Sequence, residues 1–445
     1  MTMTPVRRTS RPAVTDLTEL LIKEAHRNGL HRRLRFGAAA LLVRVVAAAA
    51  WQGRGGGTHP SSPLRVHASS PRRGSLGGSS NLTALAVLGG QSLLQVVPFG
   101  PSTLWVSTAN EVKLSGGGQG IELTTNAGRT WNDVTPPGLS VDGGTHWING
   151  FFALSPTRAW LVYGGIEKGP QVIETTSDAG RHWSKVGVGT GVSALPQSGC
   201  TLQFVTLQDG TCTDAVGAGG SMPIGIYRTS DGGVSWRKIF QSSPSTTSKT
   251  PGSIPFACDK SIHFESATKG FVLFWCTGGT GAFIYETTDG GVSWAERDVT
   301  QPKVPLGGGG FTGPPVFVGS KGAVPYGGGS YSAVFVTSNG GQSFHPVYPP
   351  GKPRQWAVDV ISPSQWRLTY GKEILATNNG GTSWFTVTSN TVLRSDSYAK
   401  GAPPGGLVEF TTPNDGWLTE NLTSSLLLRT DDGGRRWNIV KVPGA

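Results

Sequence analysis

Apolar and polar residues alternate in short segments along most of the chain, and clusters of Gly, Pro, Ser, Asn and Asp separate these segments. Alternation with a period of two is typical of a strand that buries one face. In one stretch it predicts three successive strands, at residues 261–265, 271–276 and 282–287. Because few segments have a helical period, we expect an all-β structure after the N-terminal region.

One eight-residue motif, Thr-x-(Asp/Asn)-x-Gly-x-x-(Trp/Phe), divides this region into repeats. It begins at Thr124, Thr176, Thr229, Thr287, Thr337, Thr377 and Thr430. Its third position is Asn126, Asp178, Asp231, Asp289, Asn339, Asn379 or Asp432. Its fifth is Gly128, Gly180, Gly233, Gly291, Gly341, Gly381 or Gly434. Its last is Trp131, Trp183, Trp236, Trp294, Phe344, Trp384 or Trp437.

The copies are about fifty residues apart, which is the length of a four-stranded propeller blade. The repeats therefore predict a seven-bladed β-propeller of four-stranded blades over residues 82–445. Two ways of completing the seventh blade remain open: a last strand near residues 438–442, or an added strand from residues 82–88.

The residue types of the motif indicate a hairpin turn of the Asp-box kind. The Asp or Asn side chain accepts hydrogen bonds from the backbone of its own turn, and the glycine adopts a positive φ that a Cβ opposes. The aromatic residue packs beneath the turn. We therefore expect structural roles for these residues, with no catalytic residue, metal ligand or cofactor site among them.

Positive charge is concentrated ahead of the repeats. The chain has 38 Lys and Arg against 27 Asp and Glu, a net charge of +11, and residues 1–75 hold 13 basic and three acidic residues, or +10. The remaining 25 basic and 24 acidic residues give +1. Because binding to nucleic acid depends on neutralising phosphates, we expect no nucleic-acid partner.

The N-terminal residues form three segments of different composition. Residues 1–35 are basic, with a short helix predicted at 16–28, and fit a cytoplasmic segment or the n-region of a signal peptide. Residues 36–51 are apolar apart from Gly37 and Arg44, and fit a signal anchor or signal peptide, although about 20 residues are needed to span a bilayer. Residues 52–81 form a Gly/Ser/Pro-rich linker. This layout predicts an extracytoplasmic propeller, anchored to the membrane or secreted; a cytoplasmic amphipathic or disordered leader is the alternative.

Four cysteines, Cys200, Cys212, Cys258 and Cys276, lie in the middle of the chain without a C-x-x-C spacing. In an exported protein the natural pairs are Cys200 with Cys212 and Cys258 with Cys276, because each pair spans one predicted hairpin. Four cysteines allow three connectivities, and in the cytoplasm all four would be small core residues.

The long connections predicted between blades, such as residues 242–255, 302–315 and 389–406, lie on the face opposite the motif turns. Binding residues are usually found on such loops. The charged and aromatic candidates there are His146, Glu167, Lys168, Lys260, Arg354, Arg394 and Tyr398.

The motif copies TTDGGVSW at 287–294 and RTSDGGVSW at 228–236, with the second-strand aromatic of DGWLTEN at 415–421, resemble the BNR/Asp-box propellers of the photosystem II stability and assembly factor family. The resemblance covers about residues 85–445. It implies a non-enzymatic protein that binds or assembles partners on the outer side of a membrane.

Sialidases and xyloglucanases also contain Asp boxes, which leaves a glycoside hydrolase as an alternative, although the Arg-Ile-Pro motif of sialidases is absent from the sequence. Glycoside hydrolysis requires two carboxyl groups about 5 to 9.5 Å apart. A cell-wall or adhesion module is a third possibility. For the binding scaffold we expect a monomer with a protein or glycan partner in the cell envelope.

Overall fold

The structure is a computed structural model, and it describes residues 91–110, 119–139, 147–164, 171–189, 195–196, 200–215, 223–243, 251–256, 259–275, 281–302, 310–327, 331–351, 356–390, 407–419 and 426–443. All of them belong to one compact unit, residues 70–445. The predicted segments 1–35, 36–51 and 52–81 lie outside the described residues.

Seven sheets, antiparallel except for one short strand pair in blade 5, follow one another along the chain and form the seven blades. The strands of blades 1 to 4 are β1 (Gln91–Phe99), β2 (Thr103–Asn110), β3 (Gln119–Thr124), β4 (Asn132–Asp133), β5 (Trp147–Ala153), β6 (Ala159–Gly164), β7 (Gln171–Thr176), β8 (Ser184–Gly189), β9 (Thr201–Phe204), β10 (Gly210–Ala215), β11 (Ile224–Thr229), β12 (Arg237–Gln241), β13 (Asp259–Phe264), β14 (Gly270–Trp275), β15 (Ala282–Thr287) and β16 (Ala295–Glu296). The strands of blades 5 to 7 are β17 (Asp298–Val299), β18 (Gly310–Phe311), β19 (Val316–Val318), β20 (Lys321–Gly327), β21 (Ala333–Thr337), β22 (Ser343–Val347), β23 (Ala357–Ser362), β24 (Gln365–Tyr370), β25 (Glu373–Thr377), β26 (Phe385–Thr388), β27 (Leu407–Phe410), β28 (Gly416–Thr419), β29 (Leu427–Thr430) and β30 (Asn438–Val440).

The predicted seven-bladed, all-β propeller of four-stranded blades is confirmed. In six blades four consecutive strands pair in sequence order, as β1-β2-β3-β4 do in blade 1. The seventh blade takes all four strands from the stretch between Leu407 and Val440, so its last strand comes from the C-terminal side. Residues 82–88 lie outside the described part of the chain.

Blade 5 differs from the others at both of its edges. Its innermost strand is divided into β18 and β19, which both pair with β20. Pro314 and Pro315 lie between the two pieces, and proline cannot donate a ladder hydrogen bond. At the outer edge, β17 pairs in parallel with β22, so the connection from blade 4 covers an edge that would otherwise be open.

Each blade buries both of its faces against its neighbours, because side chains alternate along a strand. In blade 1, Trp105 packs towards Phe151 of blade 2, whereas Leu104 and Val106 pack against Trp417 of blade 7. The core is therefore a ring of seven interfaces between blades, and the interface between blades 7 and 1 closes it.

The motif turns join the third and fourth strands of each blade, and they lie at the same end of the propeller as the turns between the first and second strands. In blade 3, for example, the backbone N–H of Gly232 donates to Gln208 O at 3.0 Å. We call this end the box face and the opposite end the loop face. The described residues contain one 3₁₀ turn, Pro137–Leu139, and within them no helix has the length and apolar character needed to cross a membrane.

Candidate functional site

The seven motif turns share one hydrogen-bond pattern. In blade 3, Thr229 Oγ1 donates to Asp231 Oδ1 at 2.7 Å and accepts from the Gly233 N–H at 2.9 Å, while Asp231 Oδ1 accepts from the Ser235 N–H at 2.9 Å. The corresponding bonds of the other six turns begin at Thr124, Thr176, Thr287, Thr337, Thr377 and Thr430. The fifth-position glycines have φ between 77° and 103°.

These bonds engage the carboxylates of the motif within their own turns. Backbone and side-chain hydrogen bonds from His182 hold the pKa of Asp178 at about 2. Burial acts to raise the pKa of Asp231 and Asp289, but hydrogen bonds from the serine four residues later, together with their other bonds within the turn, lower both. Each Asp therefore accepts the hydrogen bonds that stabilise its own turn.

A second set of residues lies at one level of the innermost strands, and we call it the inner-strand layer. Each member lies opposite one residue of the second strand of its blade. That second-strand residue lies opposite the third-strand residue that directly precedes the motif threonine. The layer consists of Val97, Phe152, Gln203, His263, Val316, Asp359 and Glu409. Blades 3, 4, 6 and 7 thus contribute polar side chains to the wall of the central channel.

Two members of the inner-strand layer bond to the following blade. Gln203 of blade 3 makes two bonds with the backbone of Phe264 in blade 4, accepting from its N–H at 2.9 Å and donating to its carbonyl at 2.8 Å. Asp359 of blade 6 accepts from the N–H of Phe410 in blade 7 at 2.9 Å. The two side chains fasten neighbouring innermost strands in the same way.

Burial perturbs the ionisable members of this layer. It raises the pKa of Asp359 to about 8, with Glu409 adding to the rise and Arg367 and the Phe410 N–H opposing it. Burial likewise raises the pKa of Glu409 to about 7 and lowers that of His263 to about 4. Glu409 retains access to water, although the surrounding protein desolvates its carboxyl group in part. Asp359 and Glu409 together are a pair of carboxyl groups on adjacent innermost strands.

Aromatic residues of the second strands lie opposite the inner-strand layer in four blades. Trp105, Trp160, Phe271 and Trp417 pair with the inner-strand layer, but Trp366 lies one position away, opposite Thr377. Arg367 takes the equivalent place in blade 6 and donates to Pro413 O of blade 7 at 3.2 Å. Trp160 makes the matching contact in blade 2, where its indole N–H donates to Gly232 O of blade 3 at 2.9 Å.

Most of the predicted loop-face candidates lie outside the described residues, namely His146, Glu167, Lys168, Arg354, Arg394 and Tyr398. Lys260 is described: it lies on β13, is buried, and donates from Nζ to Phe256 O at 3.1 Å. It therefore fastens the connection ahead of its own blade.

The structure forms one of the two predicted disulfides. Cys200 and Cys212 are bonded and join the start of β9 to β10, so the bridge closes the innermost hairpin of blade 3. Cys258 and Cys276 lie outside the described residues.

A shallow recess, with room for about one water molecule, opens between blades 3 and 4 beside the Arg228–Asp209 ion pair, where the two charged groups are 3.4 Å apart. It lies towards the box face, unlike the predicted binding loops. In the described ranges, no three His, Cys, Asp or Glu side chains are grouped as a metal site requires.

The sequence prediction missed the inner-strand layer, although a signal for it exists. In blades 3, 4 and 7 a polar residue comes directly before the phenylalanine that ends the innermost strand, as Gln203, His263 and Glu409 do. Asp359 lacks this signal because the register of blade 6 shifts near the end of β23.

No protein-family model matches the chain, and no curated protein matches it either. Solved structures with a similar fold include YCF48 bound to D1 peptide, at 16% identity and a TM-score of 0.46, with 78% of this chain and 95% of that one covered. They also include a prolyl endopeptidase, at 11% identity and a TM-score of 0.48, covering 79% and 50%. A third is a polysaccharide lyase, the PL25 ulvan lyase, at 10% identity and a TM-score of 0.44, covering 80% and 95%.

These neighbours include a peptide-bound propeller and enzymes alike, and the likenesses are too distant to assign a function. We therefore base the function on the residues of the chain itself.

Proposed function

We propose that this chain is a non-enzymatic binding scaffold on the outer side of a membrane, with a protein or glycan partner in the cell envelope bound at the loop face. The observation that supports it most is the distribution of connection lengths. Connections between blades, at the loop face, have nine to eighteen residues, whereas the box-face turns have two to seven. A rigid scaffold with long loops at one end is the usual arrangement of a binding protein.

The box face is occupied by contacts that hold the ring together. Lys269 of blade 4 donates to Gly340 O of blade 5 at 3.2 Å, and Arg429 of blade 7 donates to Pro101 O of blade 1 at 3.1 Å. Together with the Trp160 and Arg367 contacts, these bonds join four of the seven neighbouring pairs of blades. A ligand that displaced them would weaken the ring, which favours the opposite face for binding.

The disulfide between Cys200 and Cys212 supports the extracytoplasmic part of the proposal, because disulfides persist mainly in oxidising compartments. Mass spectrometry of the protein from its native cells, digested without reduction, tests this part. A linked pair of peptides is the expected product, and free thiols at both positions would contradict export.

Site-specific photocrosslinking in intact cells tests the binding face. A photoreactive residue replaces Lys372, an exposed residue of the loop-face turn between β24 and β25, or Tyr398 in the β26–β27 connection. The matched controls are Val234 and Val292, which are 59% and 54% exposed on box-face turns. We expect discrete crosslinked products from the loop-face positions; products from the box-face positions alone would refute the assignment of the face.

Glycoside hydrolysis is the second candidate function, because Asp359 and Glu409 form a carboxyl pair with raised pKa values. Against it, one oxygen of Asp359 already accepts the Phe410 N–H, which gives this carboxyl a place in the blade wall. Assays on sialosides and β-glucans with the wild type, Asp359→Asn and Glu409→Gln distinguish the two. If the protein is a binding scaffold, none of the three proteins should hydrolyse these substrates. Hydrolysis by the wild type that is lost in both variants would show that the protein is a glycoside hydrolase. Binding of the intact protein to isolated wall polymer without turnover would indicate the adhesion module.

A further inference from the structure

The interface between blades 7 and 1 joins the two ends of the propeller, and no strand is shared across it among the described residues. Its apolar part includes Leu104 and Val106 of blade 1 and Trp417, Leu427 and Val440 of blade 7. The contact is close, since a Cβ on Gly128 would overlap the side chain of Val440. Side-chain packing, together with the hydrogen bond from Arg429 to Pro101 O, closes the ring at this point.

Register identifies the polar residues that face the same interface. Glu122 lies directly across from Val106, and Thr108 is two positions further along β2 on the same side. In blade 7, Thr419 lies across from Leu427, and Glu409 lies across from Trp417. The interface therefore mixes an apolar cluster with hydroxyl and carboxyl groups.

Five buried polar atoms in this interface have no hydrogen-bond partner among the described residues: Oγ1 of Thr108, Oε2 of Glu122, Nε1 of Trp131, Nε1 of Trp417 and Oγ1 of Thr419. Within the described part of the chain, no other interface between blades holds more than two such atoms. Buried polar groups without protein partners are costly unless water reaches them. This interface is accordingly the least well satisfied in the ring.

The protonation state of Glu122 determines how much free energy its burial costs. Burial, with a smaller contribution from Asp133, raises the pKa of Glu122 to about 7. The described ionisable groups that face it are Asp133 on β4 and, across the interface, Glu409 on β27 and Arg429 on β29. Arg429 is engaged with Asp415 at 3.4 Å and Asp431 at 3.3 Å. A charged Glu122 therefore has no cation of its own among these groups in the closed interface.

We propose that the interface between blades 7 and 1 is a proton-linked opening point of the ring, closed when Glu122 is protonated and loosened when Glu122 ionises. The two blades separate there before any other interface opens, because the ionised carboxylate is solvated only when water enters. Acidic conditions stabilise the closed ring, and neutral to mildly alkaline conditions favour its opening.

The linkage has a defined direction and range. The closed state holds the proton up to about pH 7, whereas an exposed glutamate releases it near pH 4.3. Between these values the closed form holds the Glu122 proton that the open form has released, so Glu122 alone raises the opening constant about tenfold per pH unit. Glu409 faces the same interface with its pKa raised to about 7, and it adds to this slope. Above about pH 7 both forms are ionised and the opening constant levels off.

Hydrogen exchange read by mass spectrometry on the full-length protein tests this proposal, with intrinsic exchange rates corrected for pH. The variant is Glu122→Gln, which keeps the size and removes the charge. Its matched control is Glu174→Gln in blade 2, since Glu174 occupies the same place two residues before the motif threonine and accepts from Tyr163 Oη at 2.7 Å.

In the wild type and in Glu174→Gln, we expect the opening of β2, β3, β28 and β29 to increase at least tenfold per pH unit between about pH 5 and 6.5, while β10 and β14 change much less. In Glu122→Gln the slope of the first set should fall by about one proton, because of the two carboxyl groups with raised pKa at this interface only Glu409 still titrates. An unchanged slope in Glu122→Gln, or an equal pH response in all blades, would overturn the proposal. If the variant fails to fold, the pH dependence of hydrogen exchange in the wild type still tests the proposal. An opening that does not increase more in β2, β3, β28 and β29 than in β10 and β14 would then overturn it.

Discussion

Replacing Asp359 by Asn removes a buried ionisable group while keeping an oxygen that can accept the Phe410 N–H. In the wild type this bond is 2.9 Å long and joins the innermost strands of blades 6 and 7. Burial raises the pKa of the carboxyl to about 8, so the folded protein holds a proton there at neutral pH. The asparagine side chain resembles this neutral form and does not need the proton.

The magnitude follows from the difference between the folded and unfolded states. In the unfolded chain an aspartate has a pKa of about 3.9, and a tenfold change in a protonation constant corresponds to about 1.4 kcal/mol. Because the folded pKa is raised, wild-type stability is fully present below about pH 4 and is lost as the pH rises towards 8. At pH 7 this amounts to about 4 kcal/mol, and partial access of channel water reduces the expected gain in Asp359→Asn to about 2–4 kcal/mol.

Denaturant unfolding of the wild type and Asp359→Asn at several values between pH 4 and 8 measures the effect. We expect the two proteins to be nearly equally stable at pH 4 and the variant to be increasingly favoured at higher pH. Asp359→Leu is the control for the hydrogen bond, because it leaves the Phe410 N–H without an acceptor and should be destabilised throughout. A constant difference between wild type and Asp359→Asn at all pH values would refute the reasoning.

Three further predictions concern the contacts that hold the blades. Thr229→Val removes the hydroxyl that bonds to Asp231 and Gly233, and should lower the free energy of unfolding by about 2–3 kcal/mol, whereas Thr229→Ser keeps most of it; equal losses in denaturant titrations would contradict this. Reduction of the disulfide at Cys212, with a sequence separation of 12, should cost about 3 kcal/mol in the same assay. Trp160→Phe leaves Gly232 O without its donor and should cost about 1–3 kcal/mol; an unchanged melting temperature would show that the contact is not stabilising.

The fold was predictable because each repeat contains its own local signal. The spacing of the motif sets the number of blades, and the alternation around 261–287 places the strands of blade 4 within two residues of β13, β14 and β15. The division of the innermost strand in blade 5 was not predicted, although Pro314 and Pro315 indicate it. In a repeat protein such local exceptions change one blade and leave the ring intact.

The inner-strand layer was less predictable because its chemistry depends on register between strands that are far apart in sequence. Asp359 becomes a buried acceptor only through the N–H of Phe410, 51 residues later. Trp366 matches the second-strand aromatics by residue type, yet the shifted register of blade 6 places Arg367 at their level. Neither the Asp359–Phe410 hydrogen bond nor the position of Arg367 can be predicted from the composition and spacing of a single blade.

The interfaces around the ring differ in how they satisfy their polar groups, and this difference determines where the ring is weakest. Between blades 6 and 7, Asp359 and Arg367 each bond to the backbone of the next blade, so each has a partner across that interface. Between blades 7 and 1, burial raises the pKa of Glu122 and of Glu409, and Oε2 of Glu122 has no hydrogen-bond partner among the described residues. The chain is also discontinuous only at this interface, since every other pair of neighbouring blades is joined by a covalent connection. The lowest cost of opening and the absence of a covalent link therefore coincide, and a change in pH acts on the ring where its blades are most free to separate.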